Sequence, residues 1–256
     1  MEHLGRLWAA LDHRFERVQP HRWGAVVTDA RFPDVWDVNY ARVERMQPGL
    51  TLSEIERSLD PALARVGAKH RHLVLFDPDG MSEILVAGSS RGAVVTWDSV
   101  MTVAASAVRP PPPEPRVQEV DPDAAFLDVV RGSLAEFDVD DERVAEELMA
   151  IETTVLLPAG KRWFRIVADE RVAALGSLLR LGEEALVDHI VTFAFARRRG
   201  YAEAIVRAIA RAAEAGGAST LVLLTDPGGP AERLYQRIGF RRARRIASLR
   251  ERSDTG

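Results

Sequence analysis

Four consecutive prolines, Pro110 to Pro113, followed by Glu114 and Pro115, cannot lie inside a helix or a central strand. Proline has no amide donor and its ring fixes φ. The segment is expected to be a stiff, extended spacer. It divides the 256 residues into a first part, 1–108, a linker, 109–116, and a second part, 117–256, each flank long enough to bury a core of its own. With 46% hydrophobic and 28% charged residues, the chain has enough apolar surface to fold rather than stay disordered.

The longest stretch free of Asp, Glu, Lys and Arg is Ala215 to Thr225, 11 residues against the ~18 that a spanning helix needs. Charges interrupt the apolar positions near the N-terminus from Glu2 to Arg17, so no secretory leader and no membrane association are expected. The absence of cysteine removes disulfides, thiolate nucleophiles and thiolate metal sites, and fits a cytoplasmic protein. The six histidines show no H-E-x-x-H spacing, and no metal site is expected.

Before the spacer, the apolar periodicity of Leu4, Leu7, Trp8, Leu11, Phe15 and Val18 predicts a helix that Pro20 ends. Ser53 and Glu56 read as the capping box of a second helix. After the spacer, two helices, 121–137 and 141–152, precede three strands, 163–168, 173–181 and 186–195. A helix with Ile205, Ala208, Ile209 and Ala212 on one face then stops at Gly216-Gly217. A strand, 221–224, a helix bearing Ala231, Leu234, Tyr235 and Ile238, and a basic strand, 241–249, complete the pattern. Leu73-Val-Leu-Phe-Asp-Pro-Asp-Gly80 resembles Leu221-Val-Leu-Leu-Thr-Asp-Pro-Gly228, and each is embedded in the order strand, helix, strand, turn, helix, strand. This argues for two related lobes.

The chemistry concentrates where the strand ending near Phe195 meets Arg197-Arg198-Arg199-Gly200-Tyr201-Ala202 and a helix begins. Free backbone N–H groups at the positive end of a helix dipole, next to arginines and a small residue, form a phosphate site. The chain has neither G-x-x-x-x-G-K-[ST] nor G-x-G-x-x-G, which argues against a nucleoside triphosphatase or a Rossmann enzyme.

The segment resembles the [Q/R]-x-x-G-x-[G/A] coenzyme motif of the GNAT N-acetyltransferases, and Ala231-Glu-Arg-Leu-Tyr-Gln-Arg-Ile-Gly-Phe240 resembles that family's A-x-x-L-Y-x-x-x-G-F signature. The likeness spans about residues 117–250. It implies a GNAT fold, an α/β (α+β) arrangement with a mixed, largely antiparallel sheet flanked by helices, preceded by a degenerate GNAT-like lobe. It further implies transfer of an acetyl group from acetyl-CoA to a small-molecule or peptide amine. By the same resemblance, Thr192, Ala194, Arg197, Arg198, Arg199, Gly200, Tyr201 and Ala202 would contact coenzyme A, and Tyr235 would protonate the departing thiolate. Asp188, expected on one strand face with Ile190 and Thr192, would be the base, ahead of Glu184 and His189. The sequence departs from the family pattern at Thr192 and Ala194, where Val and Pro are common, and at Gly228, where Asn often touches the cofactor. In the first lobe Glu54 and Glu56 open the helix that follows Gln47-Pro-Gly-Leu50, so no coenzyme is expected there, while Trp36, Asp37 and Asn39 are candidates for an acceptor cleft.

Other classes fit these residues less well. A non-catalytic acyl-CoA-binding regulatory module would share the loop but not turn over an amine. Nucleic-acid binding through Arg241, Arg242, Arg244 and Arg245 lacks an aromatic stacking platform, and arginines also guard an edge strand against pairing. Gly88-Ser-Ser-Arg-Gly92 matches G-x-S-x-G but reads as helix then strand, the reverse of a nucleophile elbow.

Overall fold

The computed structural model describes residues 2–252. In chain order the elements are α1 (Glu2–Asp12), β1 (Arg17–His21), β2 (Gly24–Thr28), β3 (Tyr40–Val43), α2 (Leu52–Val66), β4 (His70–Leu75), α3 (Ser82–Ser90), β5 (Val94–Ala104) and β6 (Gln118–Val120). They continue with α4 (Ala124–Ser133), α5 (Glu142–Ile151), β7 (Arg162–Ala168), β8 (Arg171–Leu181), β9 (Glu184–Thr192), α6 (Tyr201–Ala215), β10 (Thr220–Thr225), α7 (Pro230–Ile238) and β11 (Arg241–Arg252). Among the described residues no helix is long and apolar enough to cross a membrane.

The chain divides into two compact units, Met1–Ser99 with Arg244–Gly256, and Val100–Ala243. The proline run thus falls inside the second unit, and each unit takes the end of a strand from beyond the spacer. The repeat is visible in the elements: β3-α2-β4-α3-β5 in one half matches β9-α6-β10-α7-β11 in the other.

In the first unit the strand order is β1-β2-β3-β4-β11. The expected first helix stops at Asp12, and Arg17–His21 forms a hairpin with β2, with Pro20 opposite Ala25 on the outermost strand, where a missing amide is tolerated. β3 and β4 are parallel, pairing Ala41 with Leu73 and Val43 with Leu75. β11 runs antiparallel to β4 from Ala247, opposite Leu75, to Arg252, opposite His70. From Ala247 onward β11 is therefore not the open edge that its arginines suggested. Its Leu249 enters a core with Val26, Ile55, Leu59 and Met81. Gly88 of α3 makes room for it, since a Cβ there would lie 2.9 Å from a Leu249 methyl.

The capping box of α2 is Thr51 with Glu54, two residues ahead of the expected pair. Starting there puts Leu52, Ile55 and Leu59 on the buried face. Asn39 is consumed internally: its Nδ2 donates to the carbonyls of Phe32 and Val35, and its Oδ1 accepts from the Asp29 amide.

In the second unit the order is β5-β10-β9-β8-β7-β6, antiparallel from β9 to β6 and parallel between β9 and β10. α6 covers one face with Ile205, Val206 and Ile209, all fully buried. At ~1.5–3 kcal/mol each, these three side chains alone fix the helix to the sheet. Phe126, Val130, Trp163, Leu175 and Val191 pack together in a second buried cluster. Gly176 of β8 allows α6 to approach closely, because a Cβ there would stand 2.5 Å from Ile190 and 2.6 Å from Ile205.

Candidate active site

Two irregularities in β9 create the site. Opposite Gly176 the register slips: Leu175 faces Val191 but Ser177 faces Asp188, so β9 carries one extra residue and His189 takes a left-handed backbone, φ 55°. Such a bulge re-aims the side chains that follow it. It breaks the alternation that would set Asp188, Ile190 and Thr192 on one face: Ile190 packs with the α6 core while Val191 joins Trp163. Just ahead of the bulge, after Leu186, β9 parts from β10. Their pairing covers only Thr220–Val222 against Glu184–Leu186, leaving the rest of β9 without a partner on that side. In the first unit the corresponding strands remain closed, the Phe76 amide still donating to the Val43 carbonyl at 2.9 Å.

At the open end lies the arginine loop. A 3-10 turn, Ala194–Ala196, leads into Arg197, and α6 starts after Gly200 at φ 77°. The first amide of α6 to bond back is that of Ala204, to the Gly200 carbonyl, so those before it project from the helix end with no acceptor among the described residues. The α2 terminus of the first unit differs, because Thr51 and Glu54 satisfy each other's amides there.

The three arginines separate in role. Arg197 folds back, donating to the Thr192 carbonyl at 3.2 Å and to Glu136 at 2.5 Å. Arg199 lies 3.7 Å from Asp169. Arg198, exposed and at φ 68°, has no carboxylate partner among the described residues. Tyr201 is half-buried and packs on the α6 core, so the loop would meet a ligand through its backbone at that position. Thr192 Oγ1 is buried and without a hydrogen-bond partner among the described residues.

Tyr235 is held by α7, which Pro230 begins and Gly239 ends. The Glu232 carboxylate braces the preceding loop by accepting from the Gly228 amide and from Arg242. Only 7% of Tyr235 is exposed. Burial, helped by the negative charge of Asp188, pushes its phenol up to about 12. Desolvation would raise the Asp188 carboxyl, but the Lys161 ammonium at 3.6 Å, the neighbouring His189 and its backbone amide together outweigh it and hold the group below the usual carboxylate range. About half of the Asp188 side chain, 52%, remains open to solvent.

Lys161 itself escaped the sequence reading. It is buried, 2.7 Å from Glu152 Oε2, and its ammonium sits 4.8 Å from the centre of the Trp163 ring. The Trp163 indole donates to the other Glu152 oxygen at 2.7 Å. Glu152 reaches this position because α5 passes into a π-helical turn, Glu152–Leu156, whose extra residue per turn rotates it inward. A signal did exist: of 34 basic residues only Lys69 and Lys161 are lysines. His189 was a weaker candidate for the base. Burial pushes it down to about 4, and it packs edge-on to Trp163 with Nε2 2.7 Å from Ser133 Oγ. That hydroxyl donates to the Val130 carbonyl, so the neutral imidazole is the donor to it. Glu184, the other weaker candidate, is buried where β9 pairs with β10, away from the parted end.

Residues 127–240 match the family model of the acetyltransferase (GNAT) family. The chain carries a GNAT acetyltransferase domain. It is thus an acyltransferase, with the bulged, parted strand pair and the arginine loop lying inside the matched segment. Solved structures agree in fold. A conserved protein of unknown function from Staphylococcus epidermidis is 9% identical, with 93% of this chain and 94% of that one covered at a TM-score of 0.75. A GCN5-related N-acetyltransferase from Kribbella flavida is 17% identical, with 97% and 94% covered at 0.64. A tandem GNAT protein from the clavulanic acid biosynthesis pathway is 14% identical, with 85% and 77% covered at 0.56. No curated protein matches the sequence significantly.

Proposed function

We propose that the GNAT domain transfers an acetyl group from acetyl-CoA to a primary amine borne by a small molecule or peptide. One observation carries this reading: the pairing of β9 with β10 ends at Leu186, and the parted end meets a helix terminus of free amides. The residues fit the coenzyme. The amides of the Arg197–Ala202 loop would hold its pyrophosphate with Arg198 adding charge. The unpaired backbone of β9 and the orphaned Thr192 hydroxyl would meet the polar groups of its arm. Bound there, the coenzyme supplies an activated acyl group and a sulfur leaving group.

Tyr235, at about 12, stays protonated throughout the neutral range and donates a hydrogen bond to the departing sulfur. Complete transfer of its proton to a thiolate of pKa ~8.5 is uphill by roughly 5 kcal/mol, so donation has to run together with proton loss from the amine. Asp188 is ionised at neutral pH and half open to water. It draws the acceptor's ammonium and receives its proton through water, the low basicity set by Lys161 being compatible with an electrostatic anchor.

The first unit is a GNAT-like repeat without a coenzyme site, a reading supported by its closed β3–β4 pair and its capped α2 terminus. A cytoplasmic location accords with the absence of cysteine. A screen of amines that follows release of free coenzyme thiol tests the activity. Turnover with at least one amine, lost in Gly200→Glu, is the expected result, and thiol release that no amine stimulates would refute it.

A further inference from the structure

The first unit lacks a coenzyme slot, yet it has a cavity of about 440 Å³ where its parallel strands end. Glu44 directly follows β3 and Phe76 directly follows β4, and both line the cavity, as do Arg6 and Ala9 of α1, Arg45 and Arg244. Ligand crevices in sheets with parallel strands lie at such carboxyl ends.

The wall is built from beneath. Arg42, 5% exposed, reaches Glu44 Oε1 at 3.0 Å, Asp12 Oδ2 at 3.2 Å and the Gly5 carbonyl at 3.2 Å. Asp12, buried and hydrogen-bonded by the Tyr40 hydroxyl at 2.7 Å, is raised by desolvation to about 6 despite that guanidinium. Arg42 thereby answers the one carboxylate in the cavity lining, and Glu44 does not oppose an incoming anion.

The guanidiniums facing the cavity remain. Arg45 is exposed and Arg244 half-buried, and among the described residues neither has a carboxylate within ion-pair distance. Arg244 spends one donor on the Phe76 carbonyl at 3.0 Å, which fixes its head and leaves its other N–H groups available. The Phe76 ring, packed edge-on against Trp8 at 5.4 Å, adds an apolar surface. We propose that this cavity binds a small anion carrying an apolar group, with Arg45 and Arg244 gripping the charge and Phe76 covering the apolar part. Phosphate monoesters and carboxylates share this chemistry, and arginine suits both through paired N–H donors.

Titration calorimetry on the full chain tests this, with phenyl phosphate, benzoate and inorganic phosphate as probes. Phenyl phosphate or benzoate is expected to bind more tightly than inorganic phosphate, and the stronger of the two identifies the charged group. Arg45→Gln and Arg244→Gln should each weaken that binding about tenfold or more while the melting temperature stays near wild type. Added salt should weaken it further. Gly200→Glu, at the other anion-binding loop, should leave it unchanged. The proposal is overturned if no probe binds at millimolar concentration, if both arginine variants bind as wild type does, or if Gly200→Glu abolishes binding. If Arg244→Gln unfolds the protein, Arg45→Gln, at an exposed position, decides alone.

Discussion

Replacing Lys161 with methionine preserves the stem of the side chain and removes only its charge. Glu152 would then be buried with an indole N–H as its one remaining side-chain partner among the described residues, its Oε2 having lost a donor at 2.7 Å. Breaking a buried ion pair from one side costs about 3–5 kcal/mol, because the remaining charge is desolvated without compensation. At about 2–4 °C per kcal/mol, the melting temperature should fall by about 6–20 °C. Lys161→Met/Glu152→Gln should recover much of that loss, since a neutral amide can still accept from Trp163 and is far cheaper to bury. The gap between wild type and the single variant should narrow as pH falls. Asp188, held below its ordinary ~3.9 by Lys161, contributes stability that is present above that value and lost as pH drops through its lower folded one. The variant lacks this contribution. Urea unfolding from pH 3 to 8 on the two variants and wild type measures each term. A single variant less than about 1 kcal/mol below wild type at pH 7, or a double variant no better than the single, would refute this account of the cluster.

Gly200→Glu should abolish coenzyme A binding in calorimetry with the fold retained: the space beside Gly200 is open, so the carboxylate acts through its charge, and the left-handed backbone adds only about 1 kcal/mol of strain. Tyr235→Phe should leave coenzyme affinity near wild type and lower turnover by about a hundredfold or more, read across pH 6 to 9 with a working amine; equal turnover would make the residue packing only. Gly176→Ala should cost about 1–3 kcal/mol in urea unfolding, because its methyl must displace Ile190 and Ile205. Residues 116–256 expressed alone should be poorly soluble and of reduced activity, since that fragment loses Val100–Ala104 from its own unit and keeps a β11 whose partner β4 is gone; a soluble, fully active fragment would refute this.

What could be read from the sequence was whatever depends on neighbours along the chain. Gly200 before an apolar-faced helix, Gly216-Gly217 after it, and Pro230 at the start of α7 each act within a turn of their own position, and the elements fall where those residues put them. The capping box was displaced because Thr51-x-x-Glu54 and Ser53-x-x-Glu56 satisfy the same spacing, and only burial of Leu52 chooses between them. Alternation along β9 could not reveal the bulge, which depends on Gly176 in another strand admitting Ile190. The Glu152–Lys161 pair depends on a π-helical turn with no mark in composition, and the partner of β11 lies about 170 residues earlier in the chain, beyond the reach of any local pattern.

That distance also governs when the first unit can exist. Its core needs Leu249, and β4 needs the ladder that runs from Ala247 to Arg252, so the unit waits while all of Val100–Ala243 is translated. At ~5–20 residues per second this is a delay of roughly 7–29 s, far longer than a small domain takes to fold. During that interval the hydrogen-bonding edge of His70–Leu75, with its Leu-Val-Leu run, has no partner of its own chain to accept it. Ribosome pausing after Ser99, or premature release before Ala247, would thus convert this strand into a site for chaperone capture or for pairing with another nascent chain.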